Sequence, residues 1–342
     1  MTTAQTPLGL DLDVLGAWFA SEIPGSGSER RATLSAGGRS NLTYIVTDGQ
    51  QEWIVRRPPL GHVLATAHDM NREYRVMSAL QNTGVPVPRT FALCTDPAVL
   101  GADFYVMERC AGTPYRTASE LELLGPERTR TISERLVDTL AALHAVEPAS
   151  VGLGDFGRPQ GFLGRQVARW KKQLDASYTR DLPAADELYR RLAESVPAES
   201  AAGVVHGDFR LDNVLVDNSD QVAAVLDWEM ATLGDPLTDL ALMLVYFRLD
   251  ADADSDSAGN VSTAPGFLDE RAVIQRYSRG SDRDLSGFGF YLGLAAFKLA
   301  AILEGIHYRH LQGQTVGGGF DGVGESVHLL LDAGLNALKE NP

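Results

Sequence analysis

One polar run sets the strongest limit on how this chain can fold. Residues 206–213 read HGDFRLDN and lie between two short apolar segments, 204–205 and 214–216. The run 214–216, Val-Leu-Val, is typical of a strand, and the polar run with Gly and Asp before it is typical of a loop. The pattern therefore predicts a loop that carries Asp208 and leads into a strand at Asn213.

A hairpin is predicted directly after this loop. Turn residues at 218–221 separate the strand from a second strand-like run, 222–226, which ends at Asp227. Such a hairpin places Asn213 and Asp227 at the same end, and Asp208 lies just before it. The three side chains are therefore expected to converge on one point.

Asp208, Asn213 and Asp227 carry the oxygen atoms that phosphoryl transfer requires. Mg²⁺ commonly takes one or two carboxylates together with phosphate oxygens. A carboxylate can also accept a hydrogen bond from an attacking hydroxyl and orient it. A polar turn capped by Asp and Asn is the structural alternative. It does not explain the longer pattern, which continues with the residues DWE at 227–229 and GDPLTD at 234–239.

The two parts of the chain differ in predicted secondary structure. The first third contains strand-like runs and an Asp48-Gly49 hairpin turn, together with one or two helices, among them Ala67–Gln81. The remainder is mainly helical by its apolar spacing. Helices are predicted at 126–146, 162–176, 184–196, 236–249, 269–279, 285–311 and 324–338, with strands only at 214–216 and 222–226.

These patterns predict an α+β fold with two lobes. The N-terminal lobe, residues 1–109, is an antiparallel sheet with a helix, and the larger lobe, residues 110–342, is mainly helical. The polar, acidic segment 250–265 is predicted to be a loop.

Composition and charge exclude other classes of protein. A net charge of −15 without a Lys/Arg-rich run argues against nucleic-acid binding. The acidic surface either serves solubility or favours a cationic substrate. Two cysteines, Cys94 and Cys110, suit a reducing cytosol. The apolar stretch 287–305 contains Lys298, so a buried helix is predicted and not a membrane span. We expect a cytoplasmic protein with no nucleic-acid or membrane partner, and the sequence leaves its oligomeric state open.

The runs VVHGDFRLDNVLVD and VAAVLDWEMATLGDPLTDLALML resemble the catalytic loop, metal segment and following helix of the aminoglycoside phosphotransferase and choline kinase-like superfamily. The chain looks most like the branch related to kinase-like domains found beside acyl-CoA dehydrogenases. The resemblance implies a protein-kinase-like two-lobe fold, ATP as donor, Mg²⁺ as metal ion, and a hydroxyl group of a small molecule as acceptor.

The resemblance also implies roles for individual residues. Asp208 matches the catalytic base of the family, and Asn213 and Asp227 match its magnesium ligands. His206 matches a loop residue whose role is mostly structural. Asp239 matches the Asp that braces the catalytic loop from the next helix. Glu229, two residues past Asp227, either helps to hold metal or faces solvent.

The turn 35–41, with sequence SAGGRSN, resembles the turn that covers the ATP phosphates in the family. Gly37, Gly38, Ser40 and Asn41 are the residues expected there, because glycine lets backbone N–H groups approach an anion closely. An ordinary Gly-Gly hairpin turn is the structural alternative.

Arg56 departs from the family pattern, which usually has Lys on this strand paired with a Glu on a helix. Glu73 is the expected partner. Arg binds phosphate bidentately and stays charged, so a phosphate-binding role can survive the change. An exposed charge at the end of a strand is the alternative.

The segment from Tyr105 to Gly112 matches the family's hinge. The resemblance implies that backbone groups of Glu108 to Cys110 bind the adenine edge and that Met107 packs beside it. An interdomain linker at the same place is also expected.

The acceptor site is the least determined part. By analogy it is bordered by aromatic residues and the acidic loop, although aromatics on helices are more often core and lone histidines more often structural. The candidates are Trp228, Phe247, Tyr291, Tyr308, His307 and His310.

The leading hypothesis is an ATP-dependent phosphotransferase acting on a small hydroxylated molecule. Two other functions stay open, a non-catalytic nucleotide-binding module and a kinase acting on hydroxyacyl thioesters instead of antibiotics. A protein kinase is less consistent, because Gly234-Asp235-Pro236 leads almost directly into a helix and leaves little room for a peptide-docking loop.

Overall fold

The computed structural model describes residues 7–27, 30–35, 41–60, 68–198, 200–252, 260–315, 320 and 322–340. The chain divides into two compact units. The first is Met1–Thr113 with Ala223–Ala231, and the second is Pro114–Val222 with Thr232–Pro342. This division falls after residue 113, not after the predicted residue 109, and it assigns the short segment around Asp227 to the first unit.

The first unit is built on an antiparallel five-stranded sheet with strand order β1-β2-β3-β5-β4. Its strands are β1 (Arg31–Leu34), β2 (Leu42–Thr47), β3 (Glu52–Arg57), β4 (Thr90–Cys94) and β5 (Phe104–Glu108). Its helices are α1 (Leu12–Glu22), α2 (Met70–Leu80) and α3 (Pro97–Leu100). The predicted antiparallel-sheet lobe is therefore confirmed.

Alternation along β3 decides which side chains enter the core of the first unit. Trp53 and Val55 are buried on one face, where they join a cluster with Phe19 of α1 and Phe104 of β5. Residues one position apart point to opposite faces of a strand, so Arg56 lies on the other face. The register pairs Arg56 with Tyr105 of β5.

Helix α2 begins after Asp69, whose carboxylate accepts a hydrogen bond from the Arg72 N–H and caps the helix. The apolar spacing predicted that Tyr74 lies on its buried face. The structure buries Val76 there and also Glu73, which is only 1% exposed. A carboxylate on the buried face is stable only with partners, and those partners belong to the candidate site.

The second unit is mainly helical, as predicted. Its helices are α4 (Ala118–Glu122), α5 (Pro126–Ala145), α6 (Phe162–Asp175), α7 (Pro183–Glu194), α8 (Leu237–Asp252), α9 (Glu270–Arg279), α10 (Phe288–Leu311) and α11 (Val323–Glu340). Helix α10 packs against α6, α8 and α11. By length and composition α10 could cross a membrane, but 78% of its most apolar window is buried inside the protein, as in the core helix that the sequence predicts.

Two short ribbons position the polar run. β7 (Val214–Val216) and β8 (Val222–Val225) form the predicted hairpin. β6 (Gly203–Val205) pairs antiparallel with β9 (Thr232–Gly234). The prediction that the second half has strands only at the hairpin was wrong, because three-residue strands are too short to give a period-two pattern.

The predicted loop 250–265 was also partly wrong. Helix α8 continues to Asp252, and Val261–Thr263 forms a 3-10 turn. Residues 253–259 lie outside the described part of the chain.

Candidate active site

The polar run forms a loop between β6 and β7 in the second unit. The chain leaves β6 at Val205, passes Gly207 with φ of +89°, and makes a 3-10 turn over Leu211–Asn213 before it enters β7. A positive φ favours glycine at residue 207. The turn brings Asn213 back to Asp208.

The Asp208 carboxylate is held at both oxygens. The Tyr246 hydroxyl donates to Oδ1 at 2.9 Å, and the Asn213 side-chain Nδ2 donates to Oδ2 at 3.1 Å. The same Nδ2 donates to the Asp208 main-chain oxygen at 2.8 Å. The predicted convergence of Asp208 and Asn213 is confirmed, and Tyr246 is a partner that the sequence did not predict. Its only signal in the sequence was a Tyr within the apolar helix α8.

Asp239 on α8 braces the loop through the backbone, as predicted. Its carboxylate accepts hydrogen bonds from the N–H groups of His206 at 2.6 Å and Gly207 at 2.8 Å. Asp239 is only 1% exposed. Burial by itself would raise the pKa of Asp239, but the hydrogen bonds from His144 and from the His206 N–H outweigh it and hold the pKa below its ordinary value.

His144 on α5 supports Asp239 from behind. Its Nε2 lies 3.4 Å from Asp239 Oδ2, and its Nδ1 lies 2.8 Å from the Tyr277 hydroxyl on α9. Burial lowers the pKa of His144, which favours the neutral imidazole. A neutral ring satisfies both contacts when Nε2–H donates to Asp239 and Nδ1 accepts from Tyr277. Neither His144 nor Tyr277 was singled out from the sequence.

Arg210 pairs with Asp212 within the polar run. Its guanidinium forms a short bidentate ion pair with Asp212 and lies 4.4 Å from the centre of the Tyr246 ring. Burial opposes its charge, but Asp212 outweighs burial and raises the pKa of Arg210. The pair fixes Tyr246 in the position from which it reaches Asp208.

Arg56 is the centre of a second cluster, in the first unit. Its Nε lies 3.1 Å from Glu73 Oε2, and its Nη2 donates to Asp227 Oδ1 at 2.7 Å. Glu229 Oε2 is 3.9 Å from the same Nη2. The predicted partnership with Glu73 is confirmed, and the reading of Arg56 as an exposed strand-end charge is wrong. Burial disfavours the charged guanidinium, but Tyr105 and the carboxylates raise the pKa of Arg56 above its ordinary value.

Glu73 is the most confined member of this cluster. The Tyr105 hydroxyl donates to its Oε2 at 2.9 Å, and the Asn41 Nδ2 donates to its Oε1 at 3.1 Å. Burial raises the pKa of Glu73 to about 7. Arg56 and Tyr105 act in the opposite direction without overcoming it. The group therefore titrates near neutral pH.

Asn41 links several members of the cluster. It is 2% exposed, and its Nδ2 also lies 3.4 Å from Glu229 Oε2. Its Oδ1 is 2.7 Å from His68 Nδ1, which fits an N–H donated by the imidazole. Gly37, Gly38 and Ser40, the other residues of the predicted phosphate-binding turn, lie outside the described residues.

Asp227 has an unusual backbone conformation. Its φ is +64°, and the structure describes only one other non-glycine residue with positive φ, Asp220. A left-handed non-glycine residue costs about 1–3 kcal/mol and often marks a functional site. The following Trp228 is fully buried, and its indole N–H donates to the Val225 carbonyl at 2.9 Å. This anchor helps hold Asp227, whose side chain is 31% exposed.

The predicted hinge lies at the end of β5. Met107 is buried, and the Glu108 N–H already donates to the Arg89 carbonyl at 2.7 Å. The expectation that backbone groups of Glu108 contact adenine therefore cannot involve this N–H. Burial raises the pKa of the Cys110 thiol to about 12, so the thiol is not reactive at neutral pH.

The candidate acceptor residues differ in burial and in the residues that they contact. Trp228 is a core residue of the first unit, and Tyr291 is buried in the second unit with its hydroxyl donating to Asp235 Oδ2 at 2.7 Å. Phe247 packs edge-to-face on Phe267.

Tyr308, near the end of α10, is 40% exposed. The two candidate histidines lie in the last turns of α10. His310 Nδ1 is 3.2 Å from the Thr315 hydroxyl, and His307 Nδ1 is buried.

No group of three or more His, Cys, Asp or Glu side chains suited to a metal ion occurs among the described residues. The magnesium ligands expected from the sequence are one carboxylate and one amide, Asp227 in the first unit and Asn213 in the second. Because Asn213 Nδ2 donates to Asp208, its Oδ1 is turned away from that carboxylate. Both residues thus offer oxygen atoms of the type that Mg²⁺ prefers.

Comparison with known proteins identifies relatives that match most of the chain. A family model described as the phosphotransferase enzyme family matches residues 31–277. Acyl-CoA dehydrogenase family member 11 of Rattus norvegicus is 37% identical over 314 residues, which cover 89% of this chain and 40% of that protein. The chain thus spans about 40% of the length of the curated relatives it matches.

Solved structures share the fold. A crystal structure from Ralstonia eutropha, provisionally assigned as an aminoglycoside phosphotransferase, is 32% identical with a TM-score of 0.85 and covers 97% of this chain and 99% of that one. A ternary complex of aminoglycoside phosphotransferase APH(4)-Ia with AMP-PNP and hygromycin B is 18% identical with a TM-score of 0.58, covering 94% and 97%. At that identity the second likeness concerns the fold alone.

Proposed function

The chain belongs to the phosphotransferase enzyme family, and from that premise we propose that it transfers the γ-phosphoryl group of ATP to a hydroxyl group of a small molecule. The observation that carries the proposal is the Asp208 carboxylate, held by Tyr246 and Asn213 in a loop that Asp239 braces. A carboxylate fixed at both oxygens is prepared to orient a hydroxyl group.

In the proposed reaction the acceptor hydroxyl oxygen bonds to the γ-phosphorus. The bond from that phosphorus to the oxygen bridging it to the β-phosphate breaks, and ADP leaves. The hydroxyl proton passes to Asp208. A carboxylate has about four lone-pair sites, so the hydrogen bonds from Tyr246 and Asn213 leave room for the hydroxyl. A positioned base of this kind contributes about 10²–10⁴-fold to the rate.

Arg56 is proposed to bind the phosphates. Glu73 and Asp227 hold its guanidinium at two different nitrogen atoms. An exchange of Asp227 for a phosphate oxygen at Nη2 leaves Arg56 still anchored by Glu73. A guanidinium has five N–H donors in a fixed fork, so Arg can keep the anchor and take the phosphate at once, whereas Lys presents a single point charge.

Asp227 and Asn213 are proposed as magnesium ligands, because each carries a side-chain oxygen atom of the type that Mg²⁺ prefers. The Asp227 carboxylate is 31% exposed, and the Asn213 Oδ1 faces away from Asp208. A magnesium ion, when bound, would neutralise phosphate charge during transfer.

The hydroxyacyl thioester is a second candidate acceptor. It is favoured by the relationship to acyl-CoA dehydrogenase family members, in which the matching segment makes up about 40% of the protein. The net charge of −15 instead favours a cationic acceptor such as an amino alcohol. The two candidates differ in charge and are separated by direct assay.

The experiment is a screen for ADP release with ATP, magnesium and hydroxylated compounds in three groups, which are aminoglycosides with amino alcohols, macrolides with sugars, and hydroxyacyl thioesters. At least one group is expected to raise ADP release about tenfold over the acceptor-free rate, and the variant Asp208→Asn is expected to remove that increase. Asp282→Asn, an exposed carboxylate, is the matched control.

The rival function is a non-catalytic nucleotide-binding module, which the Arg at position 56 motivates. It predicts ATP binding with no acceptor-dependent ADP release in any group. That result, obtained with folded protein, would overturn the proposed function.

A further inference from the structure

The peptide unit between Gly207 and Asp208 is held from both of its polar ends. Lys298 Nζ donates to the Gly207 carbonyl oxygen at 2.5 Å, and the Asp208 N–H donates to His206 Nδ1 at 3.2 Å. The preceding N–H, that of Gly207, donates to Asp239. The main chain that carries Asp208 is therefore bonded at three consecutive polar groups.

Lys298 is the unexpected member of this set. It lies in the middle of α10, a helix whose other residues from Phe288 to Ala301 are buried and apolar or small. Its Nζ also lies 5.5 Å from the centre of the Trp170 ring. Burial lowers the pKa of Lys298, against the opposing effect of the Asp208 and Asp239 charges. Lys298 itself is only partly buried, and moving its amine out of water has a cost that the Gly207 carbonyl and the Trp170 ring help to offset.

We propose that Lys298 is a positioning residue that aims Asp208 by fixing the Gly207–Asp208 peptide. The proposal rests on the proposed function of Asp208. Tyr246 and Asn213 hold the carboxylate, but the Asn213 bond comes from the same loop and moves with it. Lys298 ties that loop to the helical core through α10, because its donor reaches the main chain and not the side chain.

This role does not depend on the ionisation of Lys298. An ammonium and a neutral amine both have N–H groups to donate to a carbonyl. It does depend on the donor, so Lys298→Met, which keeps the length and packing of the side chain, removes it cleanly. Misplacement of a catalytic group by about 1 Å can cost about 100-fold in rate.

A merely structural lysine and a positioning lysine predict different stabilities. If Lys298 served only the fold, Lys298→Met would lower the unfolding temperature. As a positioning residue, its desolvation cost is removed in the Met variant and offsets the lost hydrogen bond to the buried Gly207 carbonyl, so the unfolding temperature is expected to stay within about 4 °C of the wild type. Lys339→Met, at an exposed lysine of α11, is the matched control.

The first test does not require enzymatic activity. Hydrogen exchange of the amides of residues 205–209 is measured in the wild type, Lys298→Met and Lys339→Met. Exchange is expected to be at least about tenfold faster in Lys298→Met and unchanged in Lys339→Met. Equal exchange in Lys298→Met and the wild type would overturn the proposed positioning role of Lys298.

The second test uses turnover with the acceptor found by the screen. Lys298→Met is expected to lower kcat at least about tenfold with the KM for ATP within about twofold of the wild type. Lys298→Gln keeps an N–H donor on a shorter side chain, and its kcat is expected to lie between those of Lys298→Met and the wild type. A kcat of Lys298→Met within about twofold of the wild type overturns the proposal.

The two tests separate this proposal from the proposed function. If the wild type shows no acceptor-dependent turnover, the proposed function is contradicted. The exchange measurement still tests whether Lys298 fixes the Gly207–Asp208 peptide. If Lys298→Met does not fold, Lys298→Leu, which also has no donor, takes its place in both measurements. Wild-type exchange together with wild-type kcat in that variant overturns the proposal.

Discussion

The cluster around Arg56 and the loop around Asp208 hold their polar groups in different ways. In the first unit one guanidinium faces three carboxylates, Glu73, Asp227 and Glu229. In the second unit one buried carboxylate, Asp239, accepts hydrogen bonds from two backbone N–H groups and is backed by a neutral His144.

The difference indicates which region exchanges partners and which stays fixed. A cluster with more negative than positive groups, one of which is 31% exposed, can accept a cation or release Arg56 to a phosphate. A buried network in which every partner is satisfied resists any such exchange. The Arg56 cluster is therefore suited to bind the nucleotide, and the Asp208 loop is suited to hold a reacting group still.

The largest expected effect comes from breaking the fixed region. Asp239→Ala leaves the N–H groups of His206 and Gly207 buried without an acceptor, so the free energy of unfolding is expected to fall by about 3 kcal/mol and turnover to be lost. Urea unfolding followed by circular dichroism measures this. Asp282→Ala is the exposed control, and an equal stability in both variants would contradict the brace.

The Arg56 cluster is expected to respond in the opposite way. Arg56→Met raises the KM for ATP by about tenfold or more, yet changes the unfolding temperature little, because Glu73 with a pKa of about 7 can take up a proton in place of its lost partner. Steady-state kinetics and thermal unfolding give the two values. Arg31→Met on β1 is the control. A large loss of stability with unchanged KM would reverse the comparison.

A pH series sharpens the same contrast. The pKa of Glu73 is raised from an ordinary 4.5 to about 7 in the folded protein, so the native state binds the extra proton. The stability contributed by this group is fully present below pH 4.5 and is lost as pH rises through about 7. Glu73→Gln removes the titration. Its free energy of unfolding minus that of the wild type is therefore expected to increase between pH 5 and pH 8. A difference that stays constant or decreases would contradict the raised pKa.

The smallest expected effect comes from Tyr246→Phe. It removes one of the two side-chain hydrogen bonds to Asp208, and the other, from Asn213, remains. We expect kcat to fall by about three- to tenfold with an unchanged KM for ATP. Tyr189→Phe on α7 serves as control in the same kinetic assay. A Tyr246→Phe variant with wild-type kcat would show that Asn213 alone holds the carboxylate.

The sequence predicted the contacts that are local or that follow a known spacing. Asp208 and Asn213 are five residues apart in one loop, and Arg56 with Glu73 follows the strand and helix pairing of the family. The fold class was confirmed by the antiparallel sheet and the helical second unit.

The sequence did not predict the contacts made by distant helices. Tyr246 and Lys298 lie 38 and 91 residues from their partners, on helices that are apolar around most of their circumference, so the sequence does not show which side chain faces the loop. In the sequence, the charge of Lys298 indicated only that the apolar stretch 287–305 is not a membrane span. A polar residue within a buried apolar helix was the available signal, but it does not specify a partner. The convergence of Asp227 with Asp208 stays a prediction, because the two lie in separate units.

In the proposed function, Asp208 supports transfer of a phosphoryl group from ATP to a hydroxyl group. The most direct test follows the label from γ-³²P ATP into the acceptor, in the wild type and in Asp208→Asn, with the ATP affinity of both measured by calorimetry. This role of Asp208 predicts labelled acceptor with the wild type, a loss of at least about 100-fold with Asp208→Asn, and ATP dissociation constants within about threefold of each other. Label transfer by Asp208→Asn at the wild-type rate would contradict it.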